Sequence, residues 1–275
     1  MKSYLFLGLA LCGSLFAAEQ TPKPAMAQSK IRLMPVKRTP EAESSGVVIA
    51  LPPPNALLKS NPVWLQIRVD GYPIGASSEF DRQKDLAVSD QGQTMHVVID
   101  NLPYFAISEQ ALDPFNEAGW YYETNYKFEV PSKLDKGEHL VRVFLARSYG
   151  ESLKGELTFF ASNFYIGAKG PTKFDLSKPY LTYNEPSNQL FLVENRPVLL
   201  DFYISNCELT KDGYTIRLTI DKRATRILTE WQPYYIYGLE AGTHTVRLEL
   251  LGPNGNLVKG PFNDVEQTIT VHKAK

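Results

Sequence analysis

The chain contains 275 residues, of which 43% are hydrophobic and 21% are charged, and its formal net charge at pH 7 is −1. A balance this close to neutrality gives no reason to expect strong electrostatic attraction to nucleic acid or to an anionic membrane. Only two cysteines are present, which excludes a disulfide scaffold and leaves buried apolar cores as the source of stability.

The N-terminus has the pattern of a secretory signal peptide, which we place at residues 1–18. Lys2 precedes an apolar run over residues 4–16 that is too short to span a bilayer. Cleavage after Ala17 or Ala18, at the end of this segment, is favoured. The alternative, cleavage after Ala27, has better spacing of small residues but follows a long charged stretch. We therefore expect an exported protein, located in the periplasm, in the cell envelope or outside the cell.

A lipid anchor is an alternative outcome for this leader. Cys12 lies in the segment LALCGS and is a candidate lipidation site, which would make the protein a lipoprotein. Leu11, directly before it, is larger than a lipobox normally accepts at that position. Contact with a membrane is expected only through such an anchor.

Residues 19–45 follow the leader and are rich in proline and charge, without a sustained hydrophobic period. A segment of this composition does not bury enough apolar surface to offset the entropy lost on ordering. We therefore predict a flexible linker between the leader and the first folded domain.

Beyond residue 45, short alternating apolar segments separated by Gly, Pro, Asn and Asp predict an all-β protein. The chain then repeats itself. LDKGEHLVRVFLARSYGESLKG at 134–155 is matched by LEAGTHTVRLELLGPNGNLVKG at 239–260, and MHVVID at 95–100 is matched by IRLTID at 216–221. Apolar residues alternate along these segments, so one face of each strand is predicted to form a core.

The duplication predicts two domains, the first at 46–167 with long loop insertions and the second at 178–273, joined by GAKGPTKFDLSK. The repeated Leu-x-x-Gly-x-His-x-Val-Arg pattern resembles the penultimate strand of bacterial secreted immunoglobulin-like or fibronectin type III-like domains. This resemblance implies two tandem immunoglobulin-like β-sandwiches. It also implies a role in adhesion, in ligand binding or in the spacing of other parts.

The histidines of the repeated motif are predicted to be structural. His139 and His244 are in phase with core positions, where a neutral imidazole donates a hydrogen bond to a turn carbonyl. Arg142 and Arg247 are predicted to lie on the outward face of the sheet, each paired with a neighbouring acid.

Neither metal chemistry nor catalysis is predicted. The four histidines are widely separated and lack the short spacings that a zinc or iron site generally requires. The sequence contains neither a Gly-x-Ser-x-Gly elbow nor a phosphate-binding glycine loop. We therefore expect no enzyme activity, no metal and no cofactor.

Candidate binding residues are those that one copy has and the other lacks. The hairpin tip ARSYGES of the first copy stands where the second has GPNGN, and it is predicted to display Arg147, Tyr149 and Glu151. An insertion in the first copy adds Trp120 and Tyr121, aromatic residues of the kind that anchor interfaces. These five residues are the predicted binding residues, and the sequence leaves open whether the hairpin tip and the insertion lie at the same end of the sandwich.

A second-choice site uses Trp231 and Tyr234, in the matching region of the second copy. The function expected from all these features is non-catalytic, with the protein binding or spacing a protein partner in the cell envelope or outside the cell. The alternative is a carbohydrate-binding module that uses exposed aromatic residues to stack on a glycan. A nucleic-acid partner is not expected.

Overall fold

The computed structural model describes residues 30–108 and 125–274. Within these two ranges, no helix is long and apolar enough to cross a membrane. The described residues contain one short 3₁₀ helix, at Asp81–Lys84. They form 17 strands: β1 (Arg32–Pro35), β2 (Gly46–Leu51), β3 (Ala56–Leu58), β4 (Trp64–Asp70), β5 (Thr94–Ile99), β6 (Phe105–Ile107), β7 (Asn125–Glu129), β8 (Gly137–Ala146), β9 (Phe159–Ile166), β10 (Tyr180–Glu185), β11 (Leu192–Val193), β12 (Val198–Ser205), β13 (Thr215–Ile220), β14 (Ala224–Leu228), β15 (Tyr234–Tyr237), β16 (Gly242–Leu251) and β17 (Asp264–His272).

The strands form two sandwiches with the same strand order. In domain 1, a sheet of order β2-β4-β7 faces a sheet of order β3-β9-β8-β5-β6, in which only β3 is parallel to its neighbour. In domain 2, β10-β12-β15 faces β11-β17-β16-β13-β14, and only β11 is parallel to its neighbour. This is the order of immunoglobulin-like and fibronectin type III-like sandwiches. Both domains are therefore immunoglobulin-like β-sandwiches, as predicted, and the chain is all-β.

Each sandwich has its own apolar core, built from the alternating positions that the sequence predicts. The core positions of β5 and β8 in domain 1 are Met95, Val97, Ile99, Val141, Val143 and Leu145. The equivalent positions of β13 and β16 in domain 2 are Ile216, Leu218, Ile220, Val246, Leu248 and Leu250. The two copies therefore share a core plan as well as a strand order.

Strand β15 departs from the predicted alternation. Counting back from Leu239 predicts Tyr235 in the core and Tyr234 at the surface. In the structure Tyr234 is part of the domain 2 core, and Tyr235 faces domain 1. Gly238 lies between them and Leu239 with a φ of 84°, outside the extended region. The alternation of side chains between the two faces is interrupted at such a residue. The faces predicted for Tyr234 and Tyr235 are therefore exchanged.

The two sandwiches pack face to face, through outward faces of one sheet from each. Phe144 and Phe159 of domain 1 have their rings 6.2 and 4.3 Å from the ring of Tyr203 in domain 2. Further along the interface, Tyr149 packs with Leu199. The four sheets therefore stack in layers, and the two middle sheets are covered on both faces.

Strand β1 belongs to the segment predicted as a flexible linker, and this prediction is corrected for its described part. Residues Arg32–Pro35 pair antiparallel with β15 and extend the sheet of domain 2. Leu33 packs against the domain 2 core, and the guanidinium of Arg38 lies 4.8 Å from the ring centre of Trp231. An open sheet edge stabilises an extended segment through backbone hydrogen bonds. A strand of four residues is too short to be predicted from hydrophobic periodicity.

Candidate functional site at the domain interface

The histidine of the repeated motif closes one end of domain 1. His139 Nδ1 lies 2.7 Å from Asp100 Oδ2, and Nε2 lies 2.8 Å from the carbonyl oxygen of Asp135. The carbonyl contact matches the prediction, but the carboxylate partner was not predicted. Since Nε2 donates to a carbonyl and Nδ1 faces a carboxylate, the imidazolium is favoured over the predicted neutral ring. The hydrogen bond with Asp100 accordingly raises the pKa of His139.

Domain 2 repeats this arrangement. His244 Nδ1 lies 2.7 Å from Asp221 Oδ2, and Nε2 lies 2.8 Å from the carbonyl oxygen of Glu240. Burial alone lowers the pKa of His244, but the hydrogen bonds with Asp221 and Glu240 outweigh it and raise the pKa above its usual value. The repeated histidine is therefore a structural device of the fold.

Replacing His244 with alanine is expected to lower the free energy of unfolding by about 1–3 kcal/mol, because Asp221 and a turn carbonyl lose their partner. His139→Ala is expected to behave alike. Urea denaturation at pH 6 measures both changes. A variant that keeps the parent's midpoint would contradict the structural role.

The hairpin tip predicted as the binding surface lies inside the domain interface. Tyr149 is fully buried, and Arg147 and Glu151 are 7% and 2% exposed. The Glu151 carboxylate accepts hydrogen bonds from Thr39 N at 2.8 Å, Thr39 Oγ1 at 2.6 Å and Arg82 Nη1 at 2.6 Å. The prediction that Arg147, Tyr149 and Glu151 are displayed for a partner is therefore corrected. Their contacts are with other segments of the same chain.

Arg147 is a buried cation without a carboxylate partner among the described residues. Its Nη1 donates to Gln93 Oε1 at 3.1 Å, and its Nη2 donates to the carbonyl of Pro40 at 2.7 Å. The guanidinium also lies 4.9 Å from the ring centre of Phe80. These contacts hold the side chain in place without an ion pair among the described residues.

A buried ion pair joins the two domains. Lys154 Nζ of domain 1 lies 2.7 Å from Asp201 Oδ1 of domain 2, and the two side chains are 1% and 0% exposed. Ser152 Oγ donates to Asp201 Oδ2 at 2.6 Å, and Lys154 Nζ also donates to the Ser152 carbonyl at 3.1 Å. Such a pair fixes the geometry of an interface more than it adds net stability.

The same network determines the protonation of His96. Asn184 Nδ2 donates to Asp201 Oδ2 at 2.8 Å and to the Gly150 carbonyl at 2.7 Å, so its Oδ1 is the acceptor for His96 Nδ1 at 2.8 Å. His96 Nδ1 therefore carries the proton, and Nε2 is an acceptor. Burial lowers the pKa of His96 to about 4, which keeps the ring neutral at pH 7. The ring stacks on Tyr104 at 3.8 Å.

Glu185 lies next to this stack and is buried without an ion pair among the described residues. Its carboxylate accepts hydrogen bonds from Tyr104 Oη at 2.5 Å, Ser187 N at 2.6 Å and Ser187 Oγ at 3.2 Å. Burial raises the pKa of Glu185 to about 7, although these hydrogen bonds oppose the shift. The interface therefore contains a carboxyl group that titrates near neutral pH.

One cavity between the domains, of about 480 Å³, is lined by Phe159 and Tyr203 among others. Two further interdomain cavities, of about 380 and 410 Å³, both have Tyr104 and Gln189 in their walls, and they are called the smaller and the larger Tyr104 cavity. Gln189 Nε2 donates to the carbonyl of Tyr104 at 3.4 Å. The smaller Tyr104 cavity is lined by polar side chains that include Asn101, Arg142, Gln267 and Thr268. The larger Tyr104 cavity is lined by Gln91, His96, Arg147, Ser148 and Phe191. Both volumes fall within the range of about 300–1,000 Å³ that small-molecule sites occupy.

Three predicted residues lie outside the described ranges: Cys12, Trp120 and Tyr121. Trp231 is half-buried, and its Nε1 donates to the carbonyl of Phe202 at 2.9 Å. Tyr234 is buried in the domain 2 core, so its prediction as a surface residue is corrected. The second-choice residues therefore do not form an exposed aromatic pair.

The arginines of the repeated motif differ between the copies. Arg247 lies at the surface and pairs with Asp264 at 2.7 Å, as predicted. Arg142 faces domain 2 instead, where its Nη1 donates to the Leu181 carbonyl at 3.1 Å and to Thr182 Oγ1 at 2.9 Å. The prediction of a neighbouring acid is therefore corrected for Arg142, because another domain covers its sheet.

Sequence reasoning missed the polar residues of the interface, although a signal for them was present. The segment VLLDFYI of β12 has large side chains at outward positions, Leu199 and Tyr203, as well as at its core positions. A strand that is apolar on both faces is typical of a sheet covered on both sides. Asp201 lies between these two residues, and its position in such a run indicates a buried, partnered charge.

No protein-family model and no curated protein matches the chain. Among solved structures, it is similar to the fibronectin(III)-like modules of Clostridium thermocellum CbhA, with 12% identity over 82% of this chain and 94% of that chain and a TM-score of 0.28. It is also similar to the chicken CNTN1 FN1-FN3 domains, with 12% identity over 80% and 69% of the two chains and a TM-score of 0.21.

A third similar structure is SGBP-B from a Bacteroides ovatus mixed-linkage glucan utilization locus, in complex with a mixed-linkage heptasaccharide. The identity is 13% over 82% of this chain and 47% of that chain, and the TM-score is 0.20. TM-scores this low do not support the assignment of a fold or of a function. The assignment of both domains as immunoglobulin-like sandwiches therefore rests on their strand order.

Proposed function

We propose that the chain is a non-catalytic exported protein whose two sandwiches act as one rigid unit that binds or spaces a protein partner. The domain interface is the observation that supports this function. Domains joined by a small polar contact move relative to each other, whereas a large buried contact fixes them. The Lys154–Asp201 pair and the Phe159–Tyr203 stack both lie in that contact. A fixed distance between binding surfaces is what a spacer or adaptor requires.

Crosslinking in the cell envelope, followed by mass spectrometry of what is attached, tests the proposal. We expect one dominant protein partner to be captured by the parent. Lengthening the 167–178 connection with glycine and serine is expected to leave capture unchanged, because the interface holds the domains together independently of this connection. Failure to capture any protein, under conditions in which the chain is present and folded, would reject the protein-partner function.

The second candidate is a carbohydrate-binding protein. The observation that favours it is the chemistry of the two Tyr104 cavities, whose walls carry amide, hydroxyl and guanidinium groups. The sequence predicted glycan binding by exposed aromatic residues, whereas these cavities offer polar groups that come from both domains. A carbohydrate-binding protein is expected to be retarded in a native gel that contains its polysaccharide, with no other protein present. An adaptor of purely protein partners is not.

A further inference from the structure

We propose that the larger Tyr104 cavity, of about 410 Å³, is a saccharide-binding site, in which Arg147 and Ser148 donate hydrogen bonds to sugar hydroxyls and Phe191 provides a stacking surface. The proposal rests on the second candidate function, carbohydrate binding, and names the place and the residues. It uses Arg147 and Ser148 of the hairpin tip, which line the cavity instead of being displayed at the surface, and it does not use the aromatic insertion that the sequence predicts.

Two buried polar atoms at this cavity lack a hydrogen-bond partner among the described residues. They are Arg147 Nε and Ser148 Oγ, and both residues line the cavity. A buried donor left unsatisfied costs about 1–3 kcal/mol. Buried polar groups in folded proteins are almost always paired, so two orphans on adjacent residues indicate a missing partner. A ligand hydroxyl, which both donates and accepts, satisfies either atom.

His96 gives the same cavity an acceptor. Because its Nδ1 donates to Asn184 Oδ1 at 2.8 Å, its Nε2 is unprotonated. The neutral ring lines the cavity next to Tyr104. The wall therefore combines donors with a nitrogen acceptor, and this mixture suits hydroxyl groups better than it suits a simple anion or cation.

Phe191 supplies the apolar part of the site. Its side chain is 63% exposed although it lines the cavity, and its ring is stacked on His272 with centroids 4.1 Å apart. The His272 contact holds the ring in one orientation. A fixed aromatic face beside convergent polar groups is the usual composition of a site for a small polar ligand.

Saturation-transfer difference NMR on the mature protein tests the site, with glucose, galactose, mannose, N-acetylglucosamine and their linear hexasaccharides as probes. We expect transfer to at least one of these saccharides, with an affinity that titration calorimetry then measures. Ser148→Ala and Phe191→Ala are each expected to weaken that affinity at least fivefold. Leu257→Ala, at an exposed position of the equivalent hairpin tip in domain 2, is the matched control and is expected to change nothing.

All three substitutions are expected to leave thermal melting unchanged, because Ser148 Oγ makes no hydrogen bond within residues 30–108 and 125–274 and the other two side chains are exposed. Absence of transfer to every probe would overturn both this site and the carbohydrate-binding function. Binding by the parent that persists undiminished in Ser148→Ala and Phe191→Ala would overturn the site alone. If Ser148→Ala did not fold, the Phe191→Ala comparison would decide.

Discussion

Replacing Lys154 with methionine is expected to lower the free energy of unfolding by about 3–5 kcal/mol, the largest effect of any single substitution considered. The change leaves the Asp201 carboxylate buried in the domain interface without its cation, since both side chains are almost fully inaccessible. Hydrogen bonds from Ser152 and Asn184 remain, but they do not neutralise the charge. Guanidinium denaturation of parent and variant measures the difference.

Arg247→Met is the matched control for this experiment. Arg247 also pairs with a carboxylate, Asp264, at 2.7 Å, but the two side chains are 40% and 37% exposed. Arg247 lies 3.3 Å from the buried carboxylate of Glu249 as well, but Glu249 keeps its closer pair with Arg217, at 2.5 Å, in the variant. An exposed pair contributes about 0–1 kcal/mol, so the control is expected to lose little. The double variant Lys154→Met with Asp201→Asn is expected to recover at least half of the loss, because no buried charge is then unpaired. Equal losses in Lys154→Met and Arg247→Met would refute the interpretation.

The sequence was sufficient for the architecture of each domain but not for the contact between domains. Alternation along the repeated segments predicted which side chains enter the two cores. The alternation does not show what the outward face contacts, because the period is two whether that face meets water or another sheet. Arg142 and Arg247 occupy equivalent places in the motif, yet the first is buried against domain 2 and the second is solvent-exposed and paired with Asp264.

The candidate site was less predictable for the same reason. Tyr149 and Glu151 were predicted to be displayed because a hairpin tip is normally exposed. Domain 2 and the segment that contains Thr39 cover this tip, and neither is adjacent to it in sequence. Contacts between distant segments depend on how whole sheets stack. A pattern read along one strand does not contain that information.

Glu185 makes the stability of the interface depend on pH. Its pKa is raised from 4.5 to about 7 by burial, so the folded state binds a proton that the unfolded state releases between these values. The resulting stabilisation is fully present below pH 4.5 and is lost as the pH rises through 7. The shift corresponds to about 3 kcal/mol. The raised pKa values of His139 and His244 act in the same direction, whereas the lowered pKa of His96 acts in the opposite one.

Glu185→Gln isolates the contribution of this one carboxyl group. Glutamine keeps the shape, its Oε1 still accepts from Ser187 N, and the hydroxyls of Tyr104 and Ser187 turn to accept from its amide. We expect the parent to lose about 2.5 kcal/mol more than the variant between pH 5 and pH 8, measured as free energies of unfolding by urea denaturation. The histidines titrate in both proteins, so their contributions cancel in this difference. The same pH slope in parent and variant would show that Glu185 is ionised in the folded protein throughout this range, and that its burial is offset by the three hydrogen bonds it accepts.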